Sequence, residues 1–424
     1  MAVHLYTRLD SKTAQRAIGR LYGAENSQRQ LRRYKALAKK FIERFAGEDF
    51  SFFSTSGRTE LIGNHTDHNY GMVLAGSVQL DTVCAAQKTD DLRVCIVSEG
   101  FEHEFCVDLN SLDADVKERG TTEALIRGIA RRFADAGYEI GGFNAYVLSD
   151  VLRGSGLSSS AAIEILICTV FSELYNGGAM EPMEMAKISQ WAENVYFGKP
   201  CGLMDQLACA WGGIIGIDFR DPQNPEVTPI KFDFQKNGYS MVITDVHADH
   251  ADLTGEYAAI TEEMHEVAAY FGKEKLRQVE EKTFFCSLGE LYGAVSDRAI
   301  LRAIHFYEEN NRALAAAEAL RKGRLQEFFN AVNASGESSW CKLQNLYPAG
   351  AKAQAIPVAL AAAQHILAGK GACRVHGGGF GGTIEAFVPV EIKSAYMNEM
   401  NRIFGGGSSI ELEIRQCRTM KLEL

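Results

Sequence analysis

No segment of the chain offers the roughly 20 consecutive apolar residues that a membrane-crossing helix requires, and the opening MAVHLYTRLDSK lacks the apolar stretch of a secretory leader. A cytoplasmic protein is expected. Basic charge is scarce as well: 44 Lys and Arg stand against 54 Asp and Glu, a formal net charge of -10. Binding a nucleic-acid backbone normally needs a strong basic patch, so that partner class is set aside, and an anionic ligand would have to be held by local donors. No C-x-x-C pair and no histidine at zinc spacing accompany the ten scattered cysteines, which read as reduced thiols. Internal repeats and low-complexity tracts are missing too. Of only eight prolines, three (Pro222, Pro225 and Pro229) cluster in DFRDPQNPEVTPI, where they interrupt regular structure.

What is present describes a globular chain. Hydrophobic residues at 46% and charged residues at 23% suit a packed core under a solvated surface. At 424 residues the chain exceeds a single typical core. Two domains with a cleft between them are expected, 1–220 and 221–424, divided at the proline cluster. Residues 26–46 read as an amphipathic helix from the spacing of Leu31, Leu37, Ala38, Phe41, Ile42 and Phe45. Short apolar runs over 72–108 read as β-structure, FNAYVL as a strand, and 121–136, 158–176, 257–282, 297–321 and 351–368 as helices, ahead of a last apolar run, IEAFVPV. The fold class is α+β.

The most informative stretch is DVLRGSGLSSSAAIEILICTVFSEL, residues 150–174. Glycines at 154 and 156 let backbone approach a ligand closely, and free N–H groups at a helix start favour an anion. The serines that follow have hydroxyls suited to capping the helix, meeting phosphate oxygens or coordinating Mg²⁺. Without Gly-Lys-Ser/Thr this is not a Walker A loop, and without a third glycine it is not a dinucleotide fingerprint. A plain capped junction explains G-x-G alone, and only the whole string GSGLSSSAA goes further.

That string is similar to the second motif of the GHMP kinases. GRTELIGNHTDHNYGMVL, residues 57–74, resembles the first motif of their galactokinase branch, and HGGGFGGTIEAFV, 376–388, resembles the third superfamily motif. A fourth block, AENVYFGKPCGLMDQLACAWGG at 192–213, resembles the segment carrying the branch's catalytic aspartate. The resemblance implies the two-domain GHMP kinase fold with its active site in the interdomain cleft, ATP and Mg²⁺ as cofactors, and phosphorylation of a sugar, galactose first. Carried over residue by residue, it makes Asp205 the base that accepts the sugar hydroxyl's proton and Arg58 the stabiliser of charge between hydroxyl and phosphate. Ser160 and Glu193 become magnesium ligands, and Gly154, Ser155, Gly156, Ser158, Ser159 and Ser160 the phosphate cradle. Gly377 to Gly382 bring backbone between the domains. His65 and Asp67 contact sugar hydroxyls, Gly202 offers backbone and Tyr257 faces the sugar. Without the resemblance, Asp205 reads as a helix-cap carboxylate, Arg58 as a paired surface charge, Glu193 as an exposed carboxylate and Tyr257 as packing. His65 and His68 also admit a metal reading, which lacks a third ligand nearby.

The match departs from its pattern in places. Asn64 stands for the usual glutamate before His-Thr-Asp, Glu60 for the usual asparagine, and His68 for the usual tyrosine; Ser56 and Leu152 replace prolines. The family glutamate is placed near the sugar's primary hydroxyl, so Asn64 opens an alternative, a kinase for an acidic sugar such as galacturonate. A second alternative is a sensor that binds sugar and nucleotide without turnover.

Overall fold

The computed structural model describes residues 9–47, 49–152, 154, 156–247, 253–380 and 382–423. The described chain opens on two helices, α1 (Lys12–Tyr22) and α2 (Ser27–Phe45), the second matching the stretch expected from periodicity. The buried stripe of α2, Leu31, Leu37, Ala38 and Phe41, lies on a sheet whose first strands are β1 (Ser51–Ile62) and β2 (Met72–Lys88). Neighbouring strand residues point to opposite faces. Phe52 and Val83 therefore join α2, while Phe53 and Cys84 face a second core on the other side.

The sheet continues through β3 (Arg93–Ser98), β4 (Phe105–Asp108), α3 (Thr122–Asp135) and β5 (Phe143–Ser149). Three helices follow, α4 (Ser159–Tyr175), α5 (Pro182–Ala192) and α6 (Met204–Trp211), of which α4 and α6 lie on the inner face of β1 and β2 and α5 packs against both, before β6 (Ile214–Asp218) and β7 (Glu226–Ile230). β2 is long enough to pair with β5 along its second half and with β6 along its first. β3 runs parallel to β5, and all other pairings in this sheet are antiparallel.

The chain next enters a second sheet with β8 (Tyr239–Asp245), followed by α7 (Thr254–Tyr270), the short α8 (Glu281–Cys286) and α9 (Leu288–Leu291), α10 (Asp297–Arg321), α11 (Leu325–Ser338) and α12 (Ala355–Leu367). β9 (Ala372–His376), β10 (Thr383–Pro389), α13 (Lys393–Phe404), β11 (Ser409–Leu412) and β12 (Met420–Lys421) complete it. The second sheet is antiparallel in the order β11-β8-β10-β9, while β12 returns to pair with β1. One core runs from the inner face of the first sheet through Ala313, Ala316 and Phe328 to Met241, Phe387 and Leu412 on the second. The expected division at 220/221 falls inside the β6–β7 hairpin, because Ile214–Asp218 pair with Glu226–Ile230. The first sheet thus extends to Ile230 and recovers the C-terminal residues. The single helix expected over 257–282 is also corrected: α7 stops at Tyr270, and Gly272, at φ 68, turns the chain out of helical conformation.

All ten cysteines are free. Among the described residues, no helix is long and apolar enough to cross a membrane.

Candidate active site

Three distant segments meet at Asp205, in the first turn of α6. Arg58, on β1, donates from Nε to one carboxylate oxygen and from Nη2 to the other, each at 2.7 Å. Such a two-pronged pair fixes both groups in direction as well as distance. The third Arg58 nitrogen donates to the carbonyl of Gly156, and the Ser158 hydroxyl donates to Asp205 Oδ2. Burial pushes the Asp205 carboxyl up, but Arg58, then Ser158 and Lys199, more than offset it and leave it below the usual carboxylate range. Burial likewise opposes the charge on Arg58, and Asp205 overrides it to raise the guanidinium. Both groups are held ionised.

Ser158 occupies the N-cap position of α4 in left-handed conformation, φ 60, and makes no side-chain cap. Its hydroxyl is committed to Asp205, and among the described residues no side chain caps the first amides of α4, which suits an anion there. Gly156, at φ 72, packs against the other sheet; an added Cβ would meet His376 Nδ1 at 2.7 Å. Ser159 and Ser160 line a cavity of about 500 Å³ with Ser98, Phe105, Leu125 and Ile163. These strand and helix residues carry no motif, and sequence reading missed them. A cavity of about 800 Å³ between β6–β7 and α10 contains none of the expected site residues. Ser155 and Gly381, both expected here, lie outside the described residues.

The loop after β1 forms the opposite wall. His65 sits at φ 56. Its Nε2–H donates to the Gly378 carbonyl at 3.0 Å, its Nδ1 accepts from His68 Nε2 at 3.3 Å, and His68 Nδ1 accepts from the Asn69 amide at 3.2 Å. A carbonyl at one end and an amide donor at the other set both tautomers. Burial, with His68 as a secondary cause, lowers His65 to about 3, and burial with Lys275 lowers His68 to about 4. Both rings are neutral near pH 7. Tyr257 lies over His65 with ring centroids 6.5 Å apart and donates to the Gly379 carbonyl at 3.0 Å.

Asp67 accepts from the His68 amide at 2.9 Å through Oδ1, while Oδ2 lies against Gly202, where a Cβ would overlap it. A side chain at position 202 would have to displace that carboxylate. Burial and then the nearby Asp205 raise Asp67 to about 6. If ionised Asp67 is the acceptor for a sugar hydroxyl, kcat/KM for the sugar should fall as pH drops through about 6, where the carboxylate gains its proton. The limb should vanish in Asp67→Asn. A pH profile of both proteins between about 4.5 and 8 checks this.

Asn64 corrects the sequence reading. Its side chain is fully buried. Nδ2 donates to Glu60 Oε1 at 3.0 Å and to the Gly377 carbonyl at 2.7 Å, while Oδ1 accepts from Asn345 at 2.8 Å and from Ser339 at 3.3 Å. Two donors and two lone pairs are all an amide has. Nothing remains to read a sugar, so Asn64 holds the loop instead of lining the cleft.

Glu193 opens a π-helical turn at the end of α5 (Glu193–Phe197) and is buried. It was expected to be exposed without the resemblance, and the structure places it within. Gln206 Nε2 donates to Glu193 at 2.9 Å and to the fully buried Glu164 at 3.1 Å, and Lys199 Nζ lies 3.2 Å from Glu193 Oε1. Glu164, Gln206 and Lys199 were not foreseen. Burial, then Glu193, pushes the Glu164 carboxyl well above its ordinary range. Glu164 Oε1 and Gln206 Oε1 have no hydrogen-bond partner among the described residues. Hard oxygens beside an open helix N-terminus fit Mg²⁺, which takes few ligands from protein and the rest from phosphate and water. Among the described residues no group of three or more His, Cys, Asp and Glu forms a metal cage.

Two family models match: the GHMP kinases N terminal domain over residues 124–213, and the galactokinase galactose-binding signature over residues 39–88. Among solved structures, the chain is similar to Lactococcus lactis galactokinase complexed with galactose, at 25% identity and a TM-score of 0.78, covering 92% of this chain and 100% of that one. Methanococcus jannaschii mevalonate kinase, at 16% identity and TM-score 0.61, covers 86% of this chain and 98% of its own. A D-glycero-D-manno-heptose 1-phosphate kinase from Bacteriodes thetaiotaomicron, at 18% and 0.60, covers 88% and 99%. The last two share the fold.

Proposed function

Because the chain belongs to the galactokinase branch of the GHMP kinases, we propose that it transfers the γ-phosphoryl group of ATP to the anomeric hydroxyl of galactose, giving galactose 1-phosphate. The observation that carries this reading is the Arg58–Asp205–Ser158 constellation beneath an uncapped helix N-terminus. Phosphoryl transfer asks mainly for positioning and charge stabilisation. In a loose transition state the attacking oxygen keeps its proton until late, so a carboxylate of low pKa is base enough, provided it points at the hydroxyl. Arg58 keeps it pointed and sets a positive charge near the transferring group. The amides of α4 face the donor phosphates, and the cavity beside Ser159 and Ser160 takes the rest of the nucleotide. Asp67, Gly202 and Tyr257 bind the sugar. Mg²⁺, held by Glu193 and Ser160 with phosphate oxygens, would neutralise charge on the donor. Catalysis in the cytoplasm fits a sugar and nucleotide drawn from the cell's pools.

The test is ADP release by the purified protein with Mg²⁺ and ATP over galactose, galacturonate, arabinose, fucose, N-acetylgalactosamine and glucose. Galactose should be turned over fastest. Binding of sugar and ATP with no turnover of any sugar would overturn the kinase reading in favour of a sensor. The galacturonate alternative leaned on Asn64 facing the sugar, and Asn64 faces inward.

A further inference from the structure

Glu193 is a carboxylate that the fold takes out of water before any substrate arrives. Its side chain is 4% exposed, and Glu164 lies on the far side of the Gln206 amide that both share. A buried carboxylate without a counter-charge is costly. Lys199 provides one. The π-helical turn that starts at Glu193 ends on Gly198, at φ 85, and the amides of Gly198 and Lys199 both donate to the Glu193 carbonyl, at 3.0 and 3.1 Å. The backbone therefore folds the root of the lysine back over the residue it pairs with. Its head is otherwise loosely held, for the side chain is 62% exposed. Its charge also acts on Asp205 and Tyr257.

We propose that Lys199 is a built-in counter-ion for Glu193: its ammonium takes the place of a cation in the nucleotide-free protein and moves to phosphate oxygens when the divalent ion arrives with its nucleotide. This rests on Glu193 being a ligand of that ion. A bare divalent cation must expel the ammonium and leave it unpaired, whereas a metal–nucleotide complex brings oxygens to receive it. Cation binding is thereby coupled to nucleotide binding, in the sense that each favours the other. Lysine suits the task better than arginine, being a compact charge on a flexible stem that can pair with one partner and then another.

The experiment uses the full chain, wild type, Lys199→Met and Glu193→Gln, with two binding measurements that need no turnover. Mn²⁺ binding is followed by electron paramagnetic resonance without nucleotide, and binding of a non-hydrolysable ATP analogue with Mg²⁺ by calorimetry. Lys199→Met should bind bare Mn²⁺ about fivefold tighter and the Mg²⁺–analogue complex about fivefold weaker, the scale of one partly exposed ion pair. Glu193→Gln should weaken both. If Lys199→Met leaves Mn²⁺ binding unchanged while Glu193→Gln weakens it, the counter-ion proposal fails and the ligand assignment stands. If Glu193→Gln matches wild type in both, Glu193 is no ligand and the proposal falls with it. Lys199→Met leaves Glu193 without that counter-charge and should lower the melting temperature somewhat, so a melting curve of each variant confirms that it is folded at the temperature of the binding measurements.

Discussion

Asp205→Asn should bind galactose and Mg²⁺–ATP within a fewfold of wild type yet lose about 10²- to 10⁴-fold in kcat, the range expected for removing a positioned base. The amide keeps the shape and accepts one bond from Arg58, but it takes no proton from the attacking hydroxyl and supplies no charge. Arg58, 8% exposed, loses half of a two-pronged pair. Some stability should go with it, because an incompletely compensated buried charge is penalised. Calorimetric binding of each substrate, initial rates and a melting curve separate the effects. A kcat near wild type would remove Asp205 from the chemistry. Asp205 stays ionised well below neutrality, so no acid limb near pH 6 should be traced to it.

Asn64→Glu should cost about 3 to 5 kcal/mol of stability, the scale of an uncompensated buried charge. The new carboxylate has no donor for Glu60 or for the Gly377 carbonyl, and it faces Glu60, which burial already pushes up despite its 2.7 Å pair with Arg374. The two departures noted at 60 and 64 become intelligible together. Where the resemblance has asparagine at 60 and glutamate at 64, this chain has the reverse, and the two side chains touch at 3.0 Å. They are one exchange, with Arg374 near enough to serve the carboxylate. The double variant Glu60→Asn/Asn64→Glu should therefore recover much of what Asn64→Glu loses, a coupling that denaturant melts of the two singles and the double would expose. The relative rates on galactose and galacturonate should not move. An Asn64→Glu protein as stable as wild type with altered sugar preference would put position 64 in the cleft after all.

Much of the fold was legible because it rests on local pattern. The amphipathic repeat of α2 and the apolar runs of β2 and β10 follow periodicities that tertiary contacts reinforce. The end of α7 at Tyr270 was not, since the apolar spacing continues past it and a single glycine in left-handed conformation ends the helix. The crossing between sheets after Ile230 was hidden because a proline cluster marks a turn without saying whether the chain comes back.

The site divides along the same line. Sequence by itself determined which chemical groups are available, and in which order: a glycine–serine loop before a helix, an arginine after a glycine, an acid-bearing block near 200, and a late glycine cluster. These are short-range facts of composition and spacing. Tertiary structure alone decided what each group meets. Asp205 meets Arg58 and Ser158 from 147 and 47 residues away, Asn64 turns inward to partners about 280 and 310 residues on, and Lys199 folds onto Glu193 through a π-helical turn. Hydrogen-bond direction and burial arise only when distant segments share one dielectric environment, and no local pattern encodes them.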